Sequence, residues 1–200
     1  RASGALAVLP PVTQALIFVN VGIFLMQSAA LGFPWATFAL WPLGSMFEPW
    51  QLLTYGFLHA SVTHILFNMF GVYMFGADLE RVWGGRRFAF YYAFCVLSAG
   101  LVQLGLTTWT GSIYPTIGAS GGVFGLLLAF AMYFPNRIIM PLFPPIPMPA
   151  PMFAVLYGGL ELFLGVTGTQ SGVAHFAHLG GMLGGFLVIQ WWRRGRLRFR

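Results

Sequence analysis

Six apolar stretches, each about the length of a membrane-crossing helix, are separated in this chain by segments that carry most of its charge. They lie at 12–30, 60–80, 87–107, 119–134, 151–168 and 171–192. A spanning helix needs about 20 largely apolar residues, so six take up about 120 positions and leave about 80 for loops and tails. Charged side chains make up 7% of the chain and hydrophobic ones 58%, against roughly 25% charged in an ordinary soluble domain. So few charges cannot coat a water-soluble globule. A soluble enzyme and a disordered tail are excluded on that ground, and a disulfide scaffold because Cys95 is the one cysteine. The chain belongs in a bilayer.

The net charge of +6 is explained by position and not by nucleic-acid binding. There is no lysine, and the arginines are Arg1, Arg81, Arg86, Arg87, Arg137, Arg193, Arg194, Arg196, Arg198 and Arg200. With six spans, both termini and the loops after the second and fourth helices share one side. Every arginine falls in one of those segments, which the positive-inside rule makes cytoplasmic. The first stretch is not a cleavable signal, because no small-residue cleavage site follows it. A chain that starts on Arg1 and stops in an arginine-rich tail is expected to continue into flanking segments.

Residues 31–59 form a long first outer loop with Trp35, Trp41, Trp50 and a single charge, Glu48, a content suited to the membrane interface. The fourth loop carries Pro141, Pro144, Pro145, Pro147, Pro149 and Pro151 and is expected as a stiff, non-helical connector. Residues 108–118 form a short outer loop rich in turn formers. No internal repeat and no soluble domain is evident, so residues 1–200 are expected to form a single transmembrane domain.

Ionisable groups inside a span are costly and mark function by default. The polar inventory of the helices is short: His59, His64, His175, His178, Asn68, Ser120 and Glu161. Helix two runs inward, which puts His64 about 6 Å and Asn68 about 12 Å below its outer end; helix six starts outside, which puts His178 about 10 Å down. Ser120 lies in the first turn of helix four, below an outer loop. Four polar groups from three helices therefore converge on one layer in the outer half of the membrane.

Ser120 stands in Gly118-Ala119-Ser120-Gly121-Gly122-Val123-Phe124-Gly125, where a loop meets a helix N-terminus. Glycines there permit close approach of backbone, and a helix N-terminus stabilises developing negative charge. Such a serine is a nucleophile if a base takes its proton, and His178 is the candidate. Gly121 and Gly125 on helix four, and Gly180–Gly184 and Gly181–Gly185 on helix six, have the four-residue spacing that lets transmembrane backbones touch. His64 and Asn68, also four apart, share one face of helix two and can donate to an oxyanion.

These residues carry a family resemblance. The text His59-Ala-Ser-Val-Thr-His64-Ile-Leu-Phe-Asn68, Gly118-Ala-Ser120-Gly121 and Ala177-His178-Leu-Gly-Gly181 resembles the rhomboids, intramembrane serine proteases of the bacterial six-helix type. The resemblance covers nearly the whole chain, in order and spacing. It implies an all-α, polytopic, six-transmembrane-helix bundle with a long interfacial first outer loop. It further implies that Ser120 is the nucleophile, that His178 is the general base and acid, and that His64, Asn68 and the Ser120 backbone N–H form the oxyanion hole. Gly118, Gly121, Phe124 and His175 are the supporting positions. A Ser–His dyad suffices in the family, and none of Glu48, Asp78, Glu80 and Glu161 is expected beside His178.

Helix five and the outer loop at 168–171 match the elements that admit substrate in the family. Substrates are expected to be transmembrane proteins held in the lipid bilayer, with no nucleic-acid partner, no metal and no cofactor. The expected location is the bacterial inner membrane, multi-pass, both termini cytoplasmic and the site open to the outer side.

Some positions depart from familiar members. Gln51 follows Trp50 where an arginine is common, Val82 stands where many members have one, and Phe124 occupies a site often filled by tyrosine. Phe124 is expected to pack on the His178 ring. His59 is expected to hold the first loop to helix two, His175 to line the cavity or bind water, and Glu161 to bond neighbouring helices. The competing readings are a transporter or channel using the histidines for metal or protons, an inactive relative that escorts membrane clients, and a purely structural membrane protein.

Overall fold

A computed structural model describes residues 9–29, 32–44, 46–141, 145–168 and 174–197. Among them the chain is a helical bundle. Its elements in order are α1 (Pro11–Ser28), the short α2 (Trp35–Phe38) and α3 (Gln51–Thr54), and a 3₁₀ turn at Tyr55–Phe57. Then follow α4 (Val62–Gly71), α5 (Ala77–Trp83), α6 (Gly85–Thr110), α7 (Ser120–Tyr133), α8 (Ala150–Thr167) and α9 (His175–Leu197). A π-helical turn at Val72–Gly76 joins α4 to α5 in one rod. The six apolar stretches thus correspond to α1, the α4–α5 rod, α6, α7, α8 and α9, with ends within a few residues of expectation.

Spanning is a narrower matter than helix count. Among the described residues, Pro11–Ser28, Gly85–Thr110 and Ala150–Thr167 are long and apolar enough to cross a membrane, and the sharply bent pair Gln51–Phe57 with Val62–Trp83 raises the number to four. The all-α membrane bundle stands. Helix α7 has only 14 residues, and α9 is apolar for most of its length before its arginines.

The arginine-bearing segments do gather at one end. Asp78 accepts from Arg81 at 2.9 Å and pairs with Arg137 at 3.5 Å, and the Arg87 guanidinium lies over Trp192 at 6.0 Å. Those contacts tie α5 to the exit from α7, and the start of α6 to the later part of α9. Arg1, Arg198 and Arg200 lie outside the described residues, as does most of the outer loop at 168–171.

Glu80, a charge that the sequence alone leaves without a role, is buried and closes the bundle at that end. Its carboxylate accepts the backbone N–H groups of Val12 (2.9 Å) and Thr13 (2.7 Å) and the Thr13 hydroxyl (2.8 Å). An anion at the N-terminus of α1 satisfies donors that helix geometry orphans and complements the helix dipole.

The first loop is ordered by Gln51. Its Oε1 accepts from Trp41 N–H at 3.2 Å, and its Nε2 donates to the carbonyls of Met46 (2.9 Å) and Thr37 (3.3 Å). Buried glutamine therefore anchors the loop where an arginine is common in similar chains. The described part of the proline-rich connector is non-helical as far as Pro149 and adds a two-residue antiparallel ladder, β1 (Ile138–Ile139) against β2 (Met148–Pro149). Pro151, expected in the connector, instead stands in the first turn of α8, where a proline costs no intrahelical hydrogen bond. Pro144 lies outside the described residues.

Helix α9 is the packing hub, lying chiefly against α6 and α7 and more lightly against α8. Glycines make this possible. A Cβ on Gly181 would run into the backbone carbonyl of Gly121, and one on Gly125 would meet Cys95 and lie 3.1 Å from the Gly181 carbonyl. Gly180 and Gly184 face the Val102 and Ser98 side chains of α6. Hydrogen bonds lock the same seams: Ser98 Oγ donates to Gly180 O and Tyr91 OH to Gly125 O, both at 2.8 Å.

Candidate active site

The site begins with a turn that only glycine can make. Gly118 has φ +129°, and a Cβ there would lie 2.8 Å from His64 Nε2 and 3.7 Å from Ser120 Oγ, so the backbone must be bare for the imidazole to approach. Its N–H donates to Tyr55 O at 2.9 Å, while Tyr55 OH donates to Val96 O of α6 at 2.8 Å. Just upstream, Leu40 and Thr116 exchange backbone hydrogen bonds of 3.0 and 2.8 Å. The elbow is thus tied to α6 through Tyr55 and to the first loop through Thr116. Ser120 then opens α7 at its first position, where backbone N–H groups have no intrahelical acceptor.

From that position Ser120 Oγ reaches His178 Nε2 on α9 at 2.7 Å. Phe124, one turn on, stacks on the His178 ring with centroids 4.5 Å apart and planes 6° from parallel, as its position predicts. Gly181 supplies the bare backbone that lets α9 come this close to α7, while a Cβ on Gly121 would run into Ala99 of α6. The residues that three helices were expected to bring together are together: Ser120, His178, His64 and Asn68 all line one cavity of about 760 Å³. Phe67, Met140, Phe153 and Tyr157 form much of its apolar wall.

The tautomer of His64 follows from its hydrogen bonding. Ser61 caps α4, its Oγ accepting from His64 N–H at 3.1 Å. The Ala60 N–H donates to His64 Nδ1 at 3.3 Å. An accepting Nδ1 puts the ring proton on Nε2, the nitrogen turned toward Gly118 and Ser120. Asn68 donates one amide N–H to His64 O at 3.0 Å and keeps a second. His59 packs edge-on to His64 with ring centroids 5.0 Å apart, and its backbone N–H donates to Gln27 Oε1 at 3.2 Å. Both of its ring nitrogens are buried with no hydrogen-bond partner among the described residues, so its side chain meets helix two by ring packing on His64.

One expectation fails. Glu161, on α8, was not anticipated beside His178, yet its Oε2 accepts from His178 Nδ1 at 2.8 Å and from His175 Nδ1 at 2.6 Å. His175 is buried behind His178 and does not line the cavity. The same depth arithmetic contained the missed signal. Helix five runs outward and ends near 168, so Glu161 lies about 10 Å below its outer end, the depth reckoned for His178. Its bonding between helices is as expected; its partner is the surprise.

Glu161, His175 and His178 are also ligand types, and their donor atoms lie within 4.8 Å of one another. A tetrahedral zinc about 2.0–2.1 Å from each ligand holds neighbouring donors about 3.3 Å apart. The carboxylate–imidazole distances of 2.6 and 2.8 Å are those of hydrogen bonds, and His59 and His64 stand outside the group.

The family model for the rhomboid domain matches residues 46–194. The protein YdcA of Bacillus subtilis is 33% identical over 144 residues, 70% of this chain and 66% of YdcA. The rhomboid protease GluP of the same organism is 31% identical over 147 residues, 70% of this chain and 25% of that protein. The rhomboid protease GlpG of Photorhabdus laumondii is 26% identical over 189 residues, 90% of this chain and 61% of GlpG. The matched region thus spans from a quarter to about two thirds of these relatives.

Proposed function

Since this chain belongs to the rhomboid family and is a multi-pass membrane protein, we propose that it is an intramembrane serine endopeptidase acting on transmembrane segments of other membrane proteins. The observation that carries the reading is the 2.7 Å contact between Ser120 Oγ and His178 Nε2, made between two different helices at the wall of a cavity.

The chemistry is acyl transfer. His178 Nε2 takes the Ser120 proton as Oγ bonds to a substrate carbonyl carbon. The carbonyl oxygen becomes an oxyanion facing the Nε2–H of His64, the free amide N–H of Asn68 and the Ser120 backbone N–H. Preorganised donors of this kind are worth about 2.7–4 kcal/mol each in comparable sites. Collapse breaks the C–N bond, the proton passes from Nε2 to the leaving amine, and water hydrolyses the acyl-enzyme by the same route.

Depth supports an intramembrane site. The 14 residues of α7 rise about 21 Å, well short of the roughly 30 Å hydrocarbon core. With the exit from α7 held at the arginine-rich end by Arg137, the nucleophile lies beneath the opposite surface. A polar layer at that depth needs water from the cavity, which points the site toward the outer side of a bacterial inner membrane with both termini cytoplasmic.

The test is covalent labelling of the detergent-purified protein by a fluorophosphonate probe. Labelling is expected in the wild type and lost in Ser120→Ala and His178→Ala. A wild type that stays unlabelled, or labelling that survives Ser120→Ala, overturns the reading.

A further inference from the structure

The protease reading uses one face of His178; the other is occupied by a carboxylate from a third helix. We infer that Glu161 is a positioning residue that completes a Ser120–His178–Glu161 triad, fixing the tautomer and orientation of the base. The inference rests on the protease reading and goes beyond the dyad that it needs.

The atoms dictate the assignment. An ionised carboxylate can only accept hydrogen bonds. Glu161 Oε2 lies 2.8 Å from His178 Nδ1 and 2.6 Å from His175 Nδ1, so both rings carry their proton on Nδ1. His178 Nε2 therefore presents a lone pair to the Ser120 hydroxyl, which is the form a general base must have. When Nε2 takes the serine proton, Nδ1 keeps its own and the ring becomes a cation held against an anion. The carboxylate stays ionised throughout, and no further reactant is needed.

His175 serves the carboxylate. It lies three residues before His178 on the same face of the first turn of α9, and its bond to Oε2 fixes where that oxygen stands. The Glu161 side chain is 12% exposed and those of His175 and His178 6% and 9%, so little water competes for these bonds. Phe124 covers one face of the imidazole. The ring is thus held by a stacked aromatic on its face and by a hydrogen bond at each nitrogen.

The experiment compares Glu161→Gln, Glu161→Ala and Glu161→Asp with wild type in the full chain. Replacing the acid of a triad lowers turnover by roughly 10⁴-fold in serine proteases. The maximal rate of fluorophosphonate labelling is expected to fall at least about a hundredfold in the Ala and Gln variants, with the half-saturating probe concentration unchanged, and the Asp variant to regain part of it. A helix-to-helix tie alone does not predict that split. Proton NMR supplies a second readout: a strongly downfield Nδ1–H signal from His178 in the wild type, absent from Glu161→Gln. Ser120-dependent labelling that proceeds at the wild-type rate in Glu161→Gln, or a wild type without the downfield signal, overturns this inference alone. Failure of the wild type to label through Ser120 overturns the protease reading as well.

Discussion

Helix α9 meets α7 and α8 in two very different ways. Against α7 the contact is backbone on backbone, with Gly181 against the Gly121 carbonyl and Gly125 against the Gly181 carbonyl. Against α8 the contact runs through side chains, with Met182 and Phe176 of α9 lying against Gly158 and Gly165 and the Glu161 carboxylate bonded to His178. The buried residues of α8 are Ala150, Phe153 and Ala154, all at its start, whereas Val155, Phe163 and Val166 farther along are largely exposed. The proposed nucleophile and base thus stand on a pair of helices in backbone contact, and the proposed positioning acid on a more lightly packed one. Rigidity is spent where a 2.7 Å contact must be kept and withheld beside it.

The sharpest way to break that contrast is Gly181→Val. Its added carbons have only main chain to displace, so a loss of about 3 kcal/mol is expected, seen as a large fall in the thermal midpoint in detergent together with lost probe labelling. Retained labelling would mean that the α7–α9 seam is as forgiving as the α8 one. Gly118→Ala comes next, since it strains a positive-φ turn, a cost of about 1–3 kcal/mol, and pushes against His64. Its labelling rate is expected to fall more than its stability, which a paired melting and labelling experiment resolves. Phe124→Leu removes the stacked ring under His178 and is expected to cost about 1 kcal/mol, with labelling slowed a few-fold. Smallest is Gly159→Ala on α8, where an added Cβ meets nothing within 4 Å. There the change is expected to leave labelling intact and to raise the melting midpoint slightly, by up to about 1 kcal/mol of helix propensity.

Much of this was legible in the residues. Apolar length and the arginine pattern located the six rods. The four-residue glycine spacing named the touching faces, because a missing side chain has the same meaning on any helix. His64, Asn68, Ser120 and His178 were found because their depths agree and their helices are otherwise apolar.

What escaped was rotation. Helix α8 is apolar nearly all round, so nothing in its sequence says which way Glu161 points, although its depth is readable. The π-helical turn at Val72–Gly76 has no composition of its own, and it sets how the end bearing Glu80 is turned relative to the end bearing His64. Gln51 was recognisable as a departure from similar chains, but not as a donor and acceptor facing three backbone groups, since those partners come from a loop whose path no periodicity describes.

The seating of α8 has a mechanical corollary. A rod fixed at its foot and held near its head by one carboxylate oxygen and the Phe176 ring against Gly165 is a lever, and swinging it outward withdraws that oxygen from both imidazoles in the same motion. A lightly packed flank is therefore the one proposed to brace the base, and on that proposal an outward-swung α8 and a braced His178 exclude each other.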